Sequence, residues 1–161
     1  MNPENLRIHA FEPVPWAQIP DLGLYMDQVI TFIGRIYQPI YGEDMKGFLS
    51  AAMINNYVKS RLIPRPTGKK YSREQIALLI MIVALKQVCA MEEIRAMLAL
   101  RGEQTVEGLY AAFCRRFSEV VHSLRFDDAD PLDAALDFAI LSSGFRAGCV
   151  AALMDETPAD N

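Results

Sequence analysis

The chain has few of the residues that most often carry chemistry or covalent bracing. Its 161 residues include three cysteines and two histidines. Cys89, Cys114 and Cys149 lie far apart, no C-x-x-C occurs, and only His9 and His122 could join them. Neither a zinc site nor a disulfide framework is expected, and the thiols read as reduced core residues of a cytoplasmic protein. No glycine-rich phosphate loop, metal-ligand cluster or nucleophile motif stands out, so a non-enzymatic protein without a cofactor is expected. Long apolar runs are missing too. The longest, residues 76–85, has ten residues. That is too short to cross a bilayer and suits a buried helix, so no membrane association is expected. The N-terminus lacks a charged region followed by an apolar one, which argues against a secretory signal.

One further absence is local. Residues 45–73 contain no Asp or Glu but seven basic side chains, in a chain whose net charge is −4. The window is therefore +7 and the remainder −11. An acidic protein that gathers its positive charge in one stretch points to an anionic partner for that stretch. Elsewhere the composition is ordinary. A hydrophobic fraction of 52% with 22% charged residues supports one domain with a sizeable core, or a small domain with an extension.

Prolines 3, 13, 15 and 20 make residues 1–22 an extended strap, with Trp16 as its anchor to the core. Residues 24–37 repeat apolar side chains at helical spacing, and PIYGEDMKG then reads as a loop. A second helix runs over 50–60 with Ser50 as its N-cap. Met53, Ile54, Tyr57 and Val58 form its apolar stripe, and Ala52, Asn55, Asn56 and Lys59 the opposite one. LIPRPTGKKY carries two prolines and a glycine and reads as a short hairpin with Thr67-Gly68 near its tip. SREQ at 72–75 is a capping box that opens a helix apolar all round. MEEIRAMLAL gives a fourth helix, ended by Arg101-Gly102. Residues 105–124 form a fifth, whose Val106, Tyr110, Phe113, Phe117, Val120 and Leu124 follow the seam spacing of paired helices. That seam packs either inside the chain or as a dimer contact. Asp130-Pro131 opens a last helix to about residue 154, with Gly144 and Gly148 as candidate kinks. The acids at 127, 128, 130 and 133 lack EF-hand spacing and read as a solvated loop and cap. The domains are then the strap 1–22, a helical domain 23–101, a helical extension 102–154 for dimerisation or partner binding, and a mobile tail 155–161.

Helix, loop, helix, basic hairpin and capped helix is the plan of a winged helix-turn-helix, mainly all-α with a small two-stranded wing. In that plan helix 50–60 enters the major groove of double-stranded DNA. Asn55 and Asn56 can pair with adenine edges, Ala52 can approach a thymine methyl, and Lys59 completes the reading face. Lys46, Arg61, Arg65, Lys69, Lys70 and Arg73 would neutralise phosphates, with the wing at 62–71 lying along the backbone. Two low-propensity Asn in mid-helix cost helix stability with no evident structural return, which favours contact with a ligand.

Two resemblances follow from these residues. IPDLGLYMDQVITFI, then MINNYVKSRLIPRPTGKKYSREQIALLIMIVALKQV and MEEI, resemble an uncharacterised bacterial family, domain of unknown function 1836, over roughly residues 15–100. The same core more distantly resembles the MerR-type transcription regulators. Ser50 stands at the serine of their second helix and Ile54 at its leucine, with Leu62-Ile63-Pro64 at the leucines and proline that follow. Lys69-Lys70-Tyr71-Ser72 looks like their wing exit and Glu92-Glu93-Ile94 like their last helix. The hydrophobic frame matches while the DNA-facing positions depart: Asn55 and Asn56 replace an arginine and a tyrosine, and Arg61 replaces a glycine. This resemblance implies a winged helix-turn-helix fold, DNA binding and a homodimer joined by a helix after the DNA-binding domain. The expectation is therefore a transcription regulator with an effector or protein partner at its C-terminal helices. The rival from another class is a winged-helix scaffold that binds an acidic protein and no DNA.

Overall fold

The computed structural model describes residues 12–41, 47–123 and 130–155, and the described residues are mainly helical. Six α-helices occur in order: α1 (Met26–Tyr41), α2 (Ala51–Lys59), α3 (Arg73–Leu85), α4 (Met91–Ala99), α5 (Val106–Ser123) and α6 (Pro131–Asp155).

α3 is the centre. The reciprocal bonds that Ser72-x-x-Gln75 anticipates both form: Ser72 Oγ accepts from Gln75 N at 3.4 Å, and Ser72 N donates to Gln75 Oε1 at 2.8 Å. Every residue from Gln75 to Val83 is buried, which is why an all-round apolar sequence is stable there. α1 presents Val29, Ile33 and Tyr37 to this core, and the Tyr37 hydroxyl donates to Ile80 O at 2.7 Å. α5 packs on α3 from another side with Tyr110 fully buried.

The strap is tied rather than loosely draped. Trp16–Gln18 turn once as a 3-10 helix, so the segment is not extended throughout as expected. Ile19 is buried, the Tyr110 hydroxyl donates to Val14 O at 2.7 Å, and Trp16 lies 6.1 Å from the Tyr110 ring. Leu24 and Tyr71 then exchange both backbone hydrogen bonds, at 3.0 and 2.8 Å. This pairing needs Gly23, which sits at φ +70 with Lys70 Cβ only 3.3 Å from where a Cβ would stand.

Two expectations need correction. Helix α1 does not end before PIYGEDMKG but runs to Tyr41 with Pro39 inside it. Pro39 forgoes one hydrogen bond, yet Ile36 and Ile40 still pack on the core and the Tyr41 ring sits 4.0 Å from Phe48. The loop after Tyr41 lies largely outside the described residues. The expected two-stranded wing is also absent: among the described residues no strand occurs. Thr67 and Lys70 close a tight turn, with Lys70 N donating to Thr67 O at 3.0 Å. Gly68 and Lys69 both have positive φ, as a two-residue hairpin turn requires. The ladder stops at that pair for a backbone reason. The next hydrogen-bonded pair would join Arg65 to Ser72, but the Ser72 N–H is taken by Gln75 Oε1, and Tyr71 is already paired with Leu24. Pro64 and Pro66 supply no N–H of their own.

Candidate nucleic-acid interface

Helix α2 is short because both its ends are capped in sequence. Ser50 Oγ accepts from Met53 N at 3.3 Å. At the other end Arg61 N donates to Val58 O and Leu62 N to Tyr57 O, a Schellman closure with Arg61 in the left-handed position at φ 61. A glycine would sit there without strain. For an arginine the conformation costs about 1–2 kcal/mol. Ile54 and Tyr57 are buried, which fixes the helix's roll. Ala52, Asn55, Asn56 and Lys59 are all exposed, so the four expected reading residues share one open face.

That face continues into a groove. An open concavity of about 1130 Å³ lies between the end of α2, the 61–70 segment, the start of α3 and α4. Its cations are Lys59, Arg61, Arg65, Lys70, Arg95 and Arg101, against Asp21 and Glu74 as its acids. Six positive side chains against two negative ones leave a net of four positive charges. Gln75 positions one wall. It is buried, and its Nε2 donates to Pro64 O at 2.9 Å while its Oε1 holds Ser72, so the basic turn is anchored to the first turn of α3.

The expected phosphate contacts divide. Arg61, Arg65, Lys69 and Lys70 are exposed and stand outside every ion pair among the described residues. Lys70 rests over the Tyr25 ring at 5.2 Å. Lys69 is at the turn's tip, off the groove wall, with φ 64. Arg73 is a correction. Its Nε donates to Ile19 O at 2.8 Å, its Nη2 meets Asp21 at 3.4 Å and it covers Trp16 at 5.8 Å, so it clasps the strap. Lys46 lies outside the described residues.

Two cations were missed in sequence. Arg95 and Arg101 come from the α4 region, well beyond the acid-free window, and reach the groove only because α4 packs beside the end of α2. Arg95 Nη2 donates to Ser60 O at 3.0 Å, at the negative end of the α2 dipole. The sequence signals were slight: Arg95 follows the Glu92-Glu93-Ile94 motif directly, and Arg101 marks the end of that helix. Of the two groove acids, Asp21 is paired with Arg73. A backbone hydrogen bond, and then the Ser72 hydroxyl at 2.8 Å, hold the Glu74 carboxyl below the ordinary carboxylate range, so it stays charged.

The helical seam on α5 turns inward for most of its length. Tyr110 is fully buried, and Val106, Phe113 and Phe117 pack against the chain's own core. Val120 is exposed, and Leu124 lies outside the described residues. With Tyr110 buried on α3 and the strap, these four side chains pack within the chain, and Val106, Phe113 and Phe117 stay partly exposed. Among the described residues no group of three His, Cys, Asp or Glu is placed to hold a metal.

No curated protein and no solved structure matches the chain. A family model does match, over residues 14–113, the span that holds the strap from Val14 onward, α1 to α4, the groove and the first part of α5. The chain belongs to that family, described as Domain of unknown function (DUF1836).

Proposed function

We propose that the chain is a DNA-binding transcription regulator of the winged helix-turn-helix kind. In this reading α1 and α2 are the helix-turn-helix pair, and the tight turn at 67–70 stands in for a longer wing. α2 offers Ala52, Asn55, Asn56 and Lys59 to the major groove, where nine residues, about 14 Å of helix, match the groove's width. Arg61, Arg65, Lys69 and Lys70 neutralise phosphates beside it. The observation that carries the reading is continuity: the open face of α2 runs into a groove with six cations and two acids. The backbone adds support, because Arg61 and Lys69 hold left-handed conformations that glycine would adopt more cheaply.

A second reading is a scaffold for an acidic protein. Asp21 and Glu74 on the groove wall favour it, since a protein partner can meet two acids with N–H or O–H donors among its carboxylates, which a uniform phosphate backbone cannot do. Titrating random duplex DNA against salt separates the two. Four phosphate contacts give a slope of log K against log salt near about −3.6. Lys69→Glu with Lys70→Glu should weaken every sequence alike, and Asn55→Ala should relax preference at one base position. Arg61→Gly should leave unfolding within about 0.5 kcal/mol of the parent while lowering affinity, because relief of strain offsets the added chain entropy. Absence of duplex binding at low salt would hand the site to the protein partner.

A further inference from the structure

α6 is the one described helix that the fold leaves mostly uncovered. Leu132 keeps 66% of its surface exposed, Leu136 50%, Ile140 67% and Met154 68%. These positions lie on one line. Residues 132, 136, 140, 143, 147, 151 and 154 follow one another by four, four and three, a period of about 3.67 residues per turn that drifts only slowly around an undistorted helix. The other side faces the domain only at its ends: Ala134, Phe138, Cys149, Val150 and Leu153 are wholly or partly buried, while Leu141 and Phe145 between them keep 48% and 71% of their surface exposed. Arg146 fixes that side, its Nη2 at 2.9 Å from Glu93 and its Nε donating to Val88 O at 2.8 Å.

The open line is bulky in its first half and small in its second. Leu132, Leu136 and Ile140 are followed by Ser143, Ala147 and Ala151, with Gly144 and Gly148 alongside. A methyl group added at either glycine would meet nothing within 4 Å, so packing within the chain does not require them. Each weakens the helix by roughly 0.5–1 kcal/mol relative to alanine. Turned end over end about a point between Ser143 and Gly144, the line complements itself. Ile140 then faces Ala147 of the second copy, and Leu136 faces Ala151. Small residues there let the two helices approach closely, and a two-fold axis repeats each contact. Four large side chains, each with half or more of its surface exposed, lie along it with small ones between them, and each extends the surface toward the ~800 Å² per partner of a standard interface.

We infer that α6 pairs antiparallel with α6 of a second copy of this chain, making a homodimer outside the matched span 14–113. The inference does not rest on the DNA reading. α6 is also long and apolar enough to cross a membrane by length and composition alone, with a mean hydropathy of 1.4 over Leu132–Met154. Against a lipid setting, Arg146 ties the middle of the helix to the α3–α4 turn and Glu93, and Asp133 and Asp137 flank the open line.

The test is sedimentation equilibrium of the full chain. The parent should be a dimer at micromolar concentration. Ile140→Lys alone and Ala147→Glu alone should each raise the dimer Kd at least ~100-fold with helicity unchanged by circular dichroism. Mixing the two variants should restore a dimer, because residues 140 and 147 face each other only in the antiparallel register. A monomeric parent, single variants that stay dimeric, or a mixture that stays monomeric overturns the proposal. So does flotation of the parent with phosphatidylcholine vesicles in place of a soluble dimer.

Discussion

α3 and α6 are both apolar helices opened by a capping residue, yet the fold treats them oppositely. Nine consecutive residues of α3, Gln75 to Val83, are buried. Along α6 the least exposed described residue, Ala134, keeps 9% of its surface, and Ile140 keeps 67%. The difference lies in neighbours. α3 is met by α1, α5 and the strap, whose side chains reach it from different sides. α6 is met mainly by α4 along one edge. An apolar helix thus says that a surface will be covered, but whether the same chain or another covers it is a matter of topology.

The sharpest way to break this contrast is a matched pair of truncations. Leu79→Ala in α3 should cost about 2–5 kcal/mol of unfolding free energy, through lost burial and the cavity left behind. Leu136→Ala in α6 should stay within about 0.5 kcal/mol in protein dilute enough to be monomeric, measured by urea unfolding. Equal costs would mean that α6 is core after all.

Alkali gives the next largest effect. Burial holds the hydroxyls of Tyr37 and Tyr110, both packed around α3, well above their ordinary range. Their folded pKa is raised, so their contribution is intact below about pH 10 and is lost as the unfolded chain ionises above it. Each should remove about 1.4 kcal/mol per pH unit there, and Tyr110→Phe should flatten the slope. α6 contains no tyrosine, so loss of its helicity should not follow this titration.

The caps give the smallest effect. Ser72→Ala should lower global stability by about 1 kcal/mol, since it opens the buried helix. Asp130 Oδ1 accepts from Leu132 N at 2.9 Å at the start of α6. Asp130→Ala should therefore lower helicity in circular dichroism while the unfolding midpoint of the α3 core stays put. A shift in that midpoint would show that α6 unfolds together with the core.

Much of the element order was legible because its signals are local. Ser50, the Ser72 to Gln75 box and Asp130-Pro131 mark helix starts through bonds within one turn. The open face of α2 was legible for the same reason, since the burial of Ile54 and Tyr57 fixes where Asn55 and Asn56 must point. The errors came from competition over distance. Arg73 stands at the end of a basic window, but Ile19 O and Asp21, more than fifty residues earlier, claim it. The wing stops at one pair because Leu24 and Gln75 take the hydrogen bonds that a second strand would use. Arg95 and Arg101 join the groove through packing alone.

The sequence by itself determined where helices start, which face of each is apolar, and that positive charge is concentrated around the end of α2. These follow from periodicity, capping chemistry and backbone restriction, all of which act within a few residues. Only the tertiary structure decided which cations share one groove, that the α5 seam closes on its own core, and that α6 keeps an open face. Those outcomes depend on which distant surfaces compete for the same side chain, and no local pattern encodes the winner.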